Sequence, residues 1–366
     1  MSNNYRIYVY DNYIQLFYLS VYFLTTYVLC VRVFCYVYII KITCQLETEI
    51  INIVEIIKKN KQMREVKSFI DLMKSFYDEK SCREFLEDIK WRGEPICPHC
   101  NCQTKEHYKL KSNGEFKGLY KCKRCKKRFT VTIGTMFEGS HVSLKKWFYA
   151  LYIFLAHKKG ISSIQLSKDI DVTQKTAWFM LERIRHNLKD KLVVQFNDMT
   201  QVDETYVGGK NKGRVKNAQG RSLKVKTPVV GLLSNGMAYT AVVPNTGGKV
   251  LKTIINTLVK EGSTVITDGW KGYTGISKNY IHKVVEHSTG EYVKDGFHTN
   301  SIEGFWSHLK RGILGIYHKV SPKHLDKYCD EFAFRYNTRG LTDVERFTYF
   351  TMSAYKRLKY QSLIYP

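Results

Sequence analysis

At 366 residues the chain exceeds one typical domain, which favours two or three folding units with a sizeable core in at least one. Its 58 Lys and Arg against 33 Asp and Glu give a formal charge of +25 and a pI near 9.5, which implies a polyanionic partner, nucleic acid first and an anionic membrane second. Ten cysteines, four of them in two C-x-x-C pairs and the rest scattered, exclude a small secreted disulfide framework and fit a reducing compartment.

In chain order, Asn12 to Val31 is a 20-residue stretch without a charge, long enough to span a membrane. Tyr13, Tyr18, Tyr22 and Tyr27, with Gln15, Ser20, Thr25 and Thr26, dilute its hydrophobicity, and no small-residue cleavage site follows. Residues 1–62 are expected to be a dispensable Tyr-rich extension, with Met63 an alternative start. Residues 63–92 read as a helical lead-in, with Phe69, Met73, Phe76, Phe85, Leu86 and Ile89 giving apolar spacing over Phe69 to Trp91.

Residues 93–135 carry Cys97-Pro98-His99-Cys100 and Cys122-Lys123-Arg124-Cys125, separated by 21 residues, with strand-like Phe116 to Tyr120 leading into the second pair. Each C-x-x-C turn puts two sulfurs on one side of a tight loop. Cys97, Cys100, Cys122 and Cys125 can therefore close tetrahedrally around one structural Zn²⁺, stabilising a segment too small to own a core. His99 and Cys102 sit close enough to be alternative ligands. Residues 136–192 read as two helices and a short turn, Gly160 to Ile170 and Gln174 to Leu188, with Thr173 as cap. Either this is a helix-turn-helix, with Lys175, Arg183 and Arg185 on a DNA-facing side, or it is a helical hairpin that merely packs.

From Val193 the period changes to that of strands. Val193 to Phe196 and Thr200 to Val207 precede a basic, glycine-bearing loop with Lys210, Lys212 and Arg214. Val229 to Leu233 and Met237 to Val243 then flank Ser234-Asn235-Gly236, a hairpin signal. Gly248 to Lys260 predicts a helix, and Ser263 to Thr267 a short buried strand that delivers Asp268 at its end. Asn300 to Gly312 predicts another helix, with Asn300, Glu303, Ser307 and Lys310 on one polar face and Phe305, Trp306 and Leu309 on the apolar side. Asp203 and Asp268 thus lie on strands and Glu303 on a helix, with 34 residues between the second and third acids. Glu204 points to the opposite strand face from Asp203. Three converging carboxylates can hold two Mg²⁺ ions, and in a basic protein they suggest phosphodiester chemistry. Trp270 and Trp306 read as core; His287 and His298 either contact DNA or pack.

Three strands, a helix and a fourth strand, with acids on the first, the fourth and a later helix, is the order of ribonuclease-H-like nucleotidyl transferases. Val202-Asp203-Glu204-Thr205-Tyr206-Val207-Gly208-Gly209, Thr267-Asp268-Gly269-Trp270-Lys271-Gly272-Tyr273 and His298 to Gly312 resemble the motifs of Merlin-superfamily DDE transposases and their bacterial insertion-sequence relatives, the ISXO-like transposase domain. The resemblance covers roughly residues 90 to 345. It implies an α/β ribonuclease-H-like catalytic domain over 193–345, a mixed sheet flanked by helices, preceded by the zinc ribbon and the helix-turn-helix-like region and followed by a tail, 346–366. It implies cleavage at transposon ends and joining of the freed 3′-hydroxyl to target DNA, with two Mg²⁺ or Mn²⁺ ions on Asp203, Asp268 and Glu303. Some bacterial relatives use an asparagine near the third position, so Asn300 competes with Glu303; spacing and charge favour Glu303. Lys310 is expected at phosphate, and Lys310 and Arg311 join Lys175, Arg183, Arg185, Lys210, Lys212 and Arg214 as the DNA-binding set. The partners implied are double-stranded DNA, as transposon ends and target, and further copies of the chain in a homo-oligomer, with no small-molecule substrate. The compartment would be the nucleus in a eukaryote or the cytoplasm and nucleoid in a bacterium. Two rivals stand beside this reading: a domesticated or inactive DNA-binding descendant, and a membrane-associated basic protein using residues 12 to 31.

Overall fold

A computed structural model describes residues 63, 65–188, 195–208, 223, 226–286, 293 and 295–364, all within one unit, residues 60–366. The uncharged stretch Asn12–Val31, Val193 and Val194, the loop cations Lys210, Lys212 and Arg214, and His287 lie outside the described residues. Among the described residues no helix is long and apolar enough to cross a membrane.

The lead-in forms two helices where one was expected, α1 (Phe69–Ser75) and α2 (Glu79–Trp91). Asp78 causes the break, because its carboxylate accepts the Ser81 N–H at 2.8 Å and starts a second helix. Phe76, fully buried between them, meets Phe85 and Phe148 edge-on at 5.1 and 5.0 Å. A three-stranded antiparallel sheet follows, β1 (Tyr108–Ser112), β2 (Glu115–Lys121) and β3 (Arg128–Phe129). It packs on α2 through Trp91, whose ring sits 5.3 Å from Tyr120 and 5.9 Å from Phe129.

Next comes α3 (Leu144–Ala156), buried on every side from Trp147 to Leu155 and therefore a core helix. The helix pair appears as α4 (Ser163–Asp169) and α5 (Gln174–His186), capped by Ser162 and Thr173.

The larger sheet has five strands in the order β6–β5–β4–β7–β8. β4 (Thr200–Gly208), β5 (Lys226–Ser234) and β6 (Met237–Val242) are antiparallel, whereas β7 (Thr264–Asp268) and β8 (Ile281–Val285) run parallel to β4. The β5–β6 turn uses Asn235 (φ 48°) and Gly236 (φ 74°), the positive pair that a twisted two-residue hairpin needs. Helix α6 (Gly248–Leu258) covers one face, packing Leu251, Ile255 and Leu258 on Val202, Val230, Leu232 and Val265. On the other face, α7 (Asn300–Gly312) and α8 (Leu325–Asn337) pack Ile302, Phe305, Leu309 and Phe332 on Val207, Val229 and Leu233. The sheet is mixed, with helices on both faces. Helix α9 (Asp343–Met352) returns to the first helices, where Phe347 meets Phe85 and Phe148.

Candidate functional site

Strands β4 and β7 pair in parallel with Thr200 opposite Val265 and Gln201 opposite Ile266. Continued by two residues, that register sets Asp203 level with Asp268, so two acids from distant segments meet at one sheet position. The Asp203 carboxylate is held at both oxygens: Oδ2 accepts the indole N–H of Trp306 at 2.9 Å and Oδ1 accepts the Glu204 N–H at 2.8 Å. Burial, then the charges of Glu204 and Asp268, push the Asp203 carboxyl up to about 7, against the two hydrogen bonds that pull it down. Asp268 Oδ1 accepts the Trp270 N–H at 3.0 Å. Two adjacent carboxylates, the first raised by burial foremost and by its acidic neighbours next, form an all-oxygen donor pair whose mutual repulsion a hard divalent cation would relieve.

Glu204 points to the other face, as strand alternation requires; it is buried there and its Oε2 accepts the Tyr273 hydroxyl at 2.8 Å. Glu303 stands in the first turn of α7, exposed, and its Oε1 accepts from Thr299 Oγ1 at 3.3 Å. Asp203, Asp268 and Glu303 do not all bring a ligand oxygen within 4.8 Å of one another; among the described residues such groups are formed by cysteines and His107. Asn300, Ser307 and Lys310 share the exposed face of α7 with Glu303, while Phe305, Trp306 and Leu309 are buried.

Sequence reasoning missed Gln201. Its Oε1 accepts the Ile302 N–H at 3.0 Å and its Nε2 lies 3.4 Å from His298 Nδ1, so it fixes the start of α7 against β4. The available signal was its position two residues before Asp203, on the same strand face. Trp270, 37% exposed, reaches the Thr246 carbonyl with its indole N–H at 3.2 Å.

The four knuckle sulfurs lie within 4.8 Å of one another, with Cys97–Cys125 at 3.7 Å and Cys100–Cys122 at 3.6 Å. A tetrahedron with Zn–S bonds of about 2.3 Å has edges of about 3.8 Å, so the set fits one zinc. The two knuckles repeat one backbone design: the N–H of Cys97 bonds the Cys102 carbonyl, that of Cys122 the Lys127 carbonyl, and Asn101 (φ 53°) and Lys126 (φ 62°) turn left-handed at matching positions. Burial pushes the Cys97 thiol up to about 12; burial also acts on Cys122, but N–H donors from Cys125 and Arg124 prevail and bring it down to about 6. His99 instead faces the Arg128 carbonyl at 3.2 Å. His107, buried against Cys102 and Cys122, takes the Lys123 N–H on Nδ1 and bonds the Cys102 carbonyl through Nε2, so both ring nitrogens serve the loop.

Two of the expected DNA contacts are corrected. Arg183 is 4% exposed and spends its guanidinium on the carbonyls of Leu358, Met136 and Glu138. Arg185 is 1% exposed and bonds Glu331 at 2.7 Å and Glu182 at 3.1 Å. Neither can meet phosphate, because α5 is enclosed by its neighbours along its second half. Lys175, at its start, is exposed, as are Lys310, Arg311 and the ribbon cations Arg124, Lys126, Lys127 and Arg128.

Comparison with known proteins agrees with this layout. Residues 195–337 match the ISXO2-like transposase domain, and residues 77–128 match a transposase zinc-ribbon domain. An uncharacterized protein in transposable element ISH50 of Halobacterium salinarum is 29% identical over 280 residues, covering 72% of this chain and 92% of the relative. An uncharacterized transposase-like protein of Haemophilus influenzae is 33% identical over 100 residues, covering 27% of this chain and 80% of the relative.

Proposed function

We propose, from the match of residues 195–337 to the ISXO2-like transposase domain and of residues 77–128 to a transposase zinc ribbon, that the chain is a DDE transposase that cuts DNA at transposon ends and joins the freed 3′-hydroxyl to target DNA. The observation that carries the reading is the β4–β7 register, which continued by two residues sets Asp203 level with Asp268, with Asp203 driven up to about 7 by burial and by its acidic neighbours. The five-stranded sheet is read as ribonuclease-H-like; support comes from the order of its elements and from acids placed on its first and fourth strands.

Asp203 and Asp268 would hold divalent ions, Mg²⁺ or Mn²⁺, from the sheet, and Glu303 would close the set from α7. When bound, such ions polarise the phosphodiester and neutralise the oxygens entering and leaving phosphorus. In the first reaction a water oxygen would lose a proton as it bonds to phosphorus, the P–O3′ bond would break to leave a 5′-phosphate, and the departing 3′-oxygen would take up a proton to become a 3′-hydroxyl. In the second, that 3′-hydroxyl would lose its proton as its oxygen bonds to a target phosphorus, and the target's own P–O3′ bond would break, its departing oxygen taking up a proton. Gln201 and Trp306 hold α7 and Asp203 in register. Asn300, one turn from Glu303, and Lys310 on the same face would contact substrate phosphate. Lys175, Arg311 and the exposed ribbon cations would grip the DNA backbone. Two ends must be joined, so the working form is read as a homo-oligomer.

The test is strand cleavage and strand transfer on DNA carrying the element's ends, with Mg²⁺. The wild type is expected to cut and join, and Asp268→Ala to fall by at least a factor of 10³, a loss on the order of 4 kcal/mol in the barrier. Equal activity of the two proteins would favour an inactive, DNA-binding descendant instead.

A further inference from the structure

We propose that Trp306 is a positioning residue for the Asp203 carboxylate, an inference that rests on the reading of Asp203 as a metal-holding acid. Trp306 is 4% exposed and sits on α7, one turn after Glu303. Its indole N–H reaches Asp203 Oδ2 at 2.9 Å, while the strand's own Glu204 N–H takes Oδ1 at 2.8 Å. Each carboxylate oxygen has two lone pairs. One donor on each therefore fixes the plane of the group and leaves one acceptor direction per oxygen for a cation. The indole is suited to this because it is a neutral donor. A Lys or Arg in its place would also bond the carboxylate, but its charge would compete with the divalent ion.

The strand beneath is built for this contact. Gly231 is the partner of Asp203 in the β4–β5 ladder, in the interior of β5, where glycine weakens a strand. Its backbone does not lie in the left-handed region, so conformational freedom does not explain it. Space does: a Cβ on Gly231 would stand 2.5 Å from Trp306 Cζ2 and 2.6 Å from Cη2. The ring crosses β5 at this one gap to reach an acid on β4. Helix α7 thus carries both the third acid and the group that orients the first, and the two are set by a single docking event.

The experiment uses the full chain and two substitutions. Trp306→Phe keeps an aromatic ring over Gly231 and removes the N–H, whereas Gly231→Ala keeps the N–H and displaces the ring. Mn²⁺ binding is measured by electron paramagnetic resonance without DNA, and cleavage is followed across a Mg²⁺ titration. Loss of an outer-shell hydrogen bond weakens metal affinity by about tenfold or more. Both variants are therefore expected to bind Mn²⁺ about tenfold more weakly, to need correspondingly more Mg²⁺ for half-maximal cleavage, and to recover the wild-type rate at saturating Mg²⁺. Wild-type Mn²⁺ affinity in Trp306→Phe, or lost cleavage that Mg²⁺ does not restore in both variants, would assign Trp306 to packing alone and overturn the proposal. If Trp306→Phe does not fold, the same two outcomes are read from Gly231→Ala. A wild type that binds no Mn²⁺ and cuts no better than Asp268→Ala would instead remove the reading of the site itself.

Discussion

Glu331 shows how much a single side chain can organise. It is fully buried, and its Oε1 accepts from Tyr317 at 2.6 Å and Arg335 at 2.8 Å while Oε2 accepts from Arg185 at 2.7 Å. Gly160 is tight against the same place, since a Cβ there would meet the Tyr317 hydroxyl at 2.1 Å and Glu331 at 3.0 Å. Burial raises the Glu331 carboxyl, but Arg185 and Arg335 outweigh it, so the net direction is downward. A carboxyl lowered on folding contributes stability that is complete above its unfolded value of about 4.3 and is lost as pH falls through the lower folded value. Glu331→Gln removes the carboxylate that two buried guanidinium groups share, leaving Arg185 with Glu182 and Arg335 with no acidic partner among the described residues, so it is expected to lose about 3–5 kcal/mol at pH 7. Denaturant titrations of both proteins at pH 7 and pH 3 check this: the gap between them should shrink at the lower pH. An unchanged midpoint at pH 7 would rule out a stabilising role for the cluster. Arg185 also explains a failure of sequence reading. A basic residue on an amphipathic helix looks solvated when its partner, Glu331, is 146 residues away.

At the scale of elements, legibility followed periodicity. The β5–β6 hairpin, α6, β7 and α7 were readable because Asn235-Gly236 marks the turn and because alternation or a 3.6-residue stripe marks the rest. Helix α3 gave no period to read, because Trp147 to Leu155 is apolar or aromatic on every side. Strand β8 hid behind His282 and Lys283, which an edge strand tolerates and a sequence pattern does not reveal. The cysteine knuckles were fully legible, since ligand chemistry fixes their spacing, whereas Gln201 and Gly231 acquire meaning only when β4, β5 and α7 are docked. Removal of the metal by a chelator is expected to release about one zinc per chain. It should also open residues 97–129 to protease while the five-stranded sheet stays protected, as peptide mapping would show. Cys125→Ser should behave in the same way without chelator; a protease-resistant ribbon in that variant would remove zinc from the account.

For the whole molecule, the charge of +25 is distributed unevenly in its consequences. Some cations are consumed by the fold, as Arg183 and Arg185 are, and others stand free of the core on the ribbon, at the start of α5 and at the end of α7. Each phosphate contact adds about 0.9 to the slope of log K against log salt for duplex DNA. Lys126→Ala and Lys175→Ala are therefore each expected to reduce that slope by about 0.9. Arg183→Ala should leave it unchanged and lower the melting temperature instead. Binding isotherms between 50 and about 200 mM salt separate the two classes; a slope change in Arg183→Ala alone would reverse the assignment.

The parallel pairing of β4 with β7 also sets a timetable. Its partners are separated by a hairpin and a crossover helix, so the acid pair forms only after a long loop has closed, and α7 docks later still in the chain. A nascent or truncated chain that ends before β7 contains Asp203 without Asp268, and one that ends before α7 lacks the indole that orients Asp203. Premature fragments would thus carry the zinc ribbon and its cations while lacking the assembled acids. On the reading of the acids as the metal-holding set, a shortened product of this gene could not assemble that site, whatever else of the fold it kept.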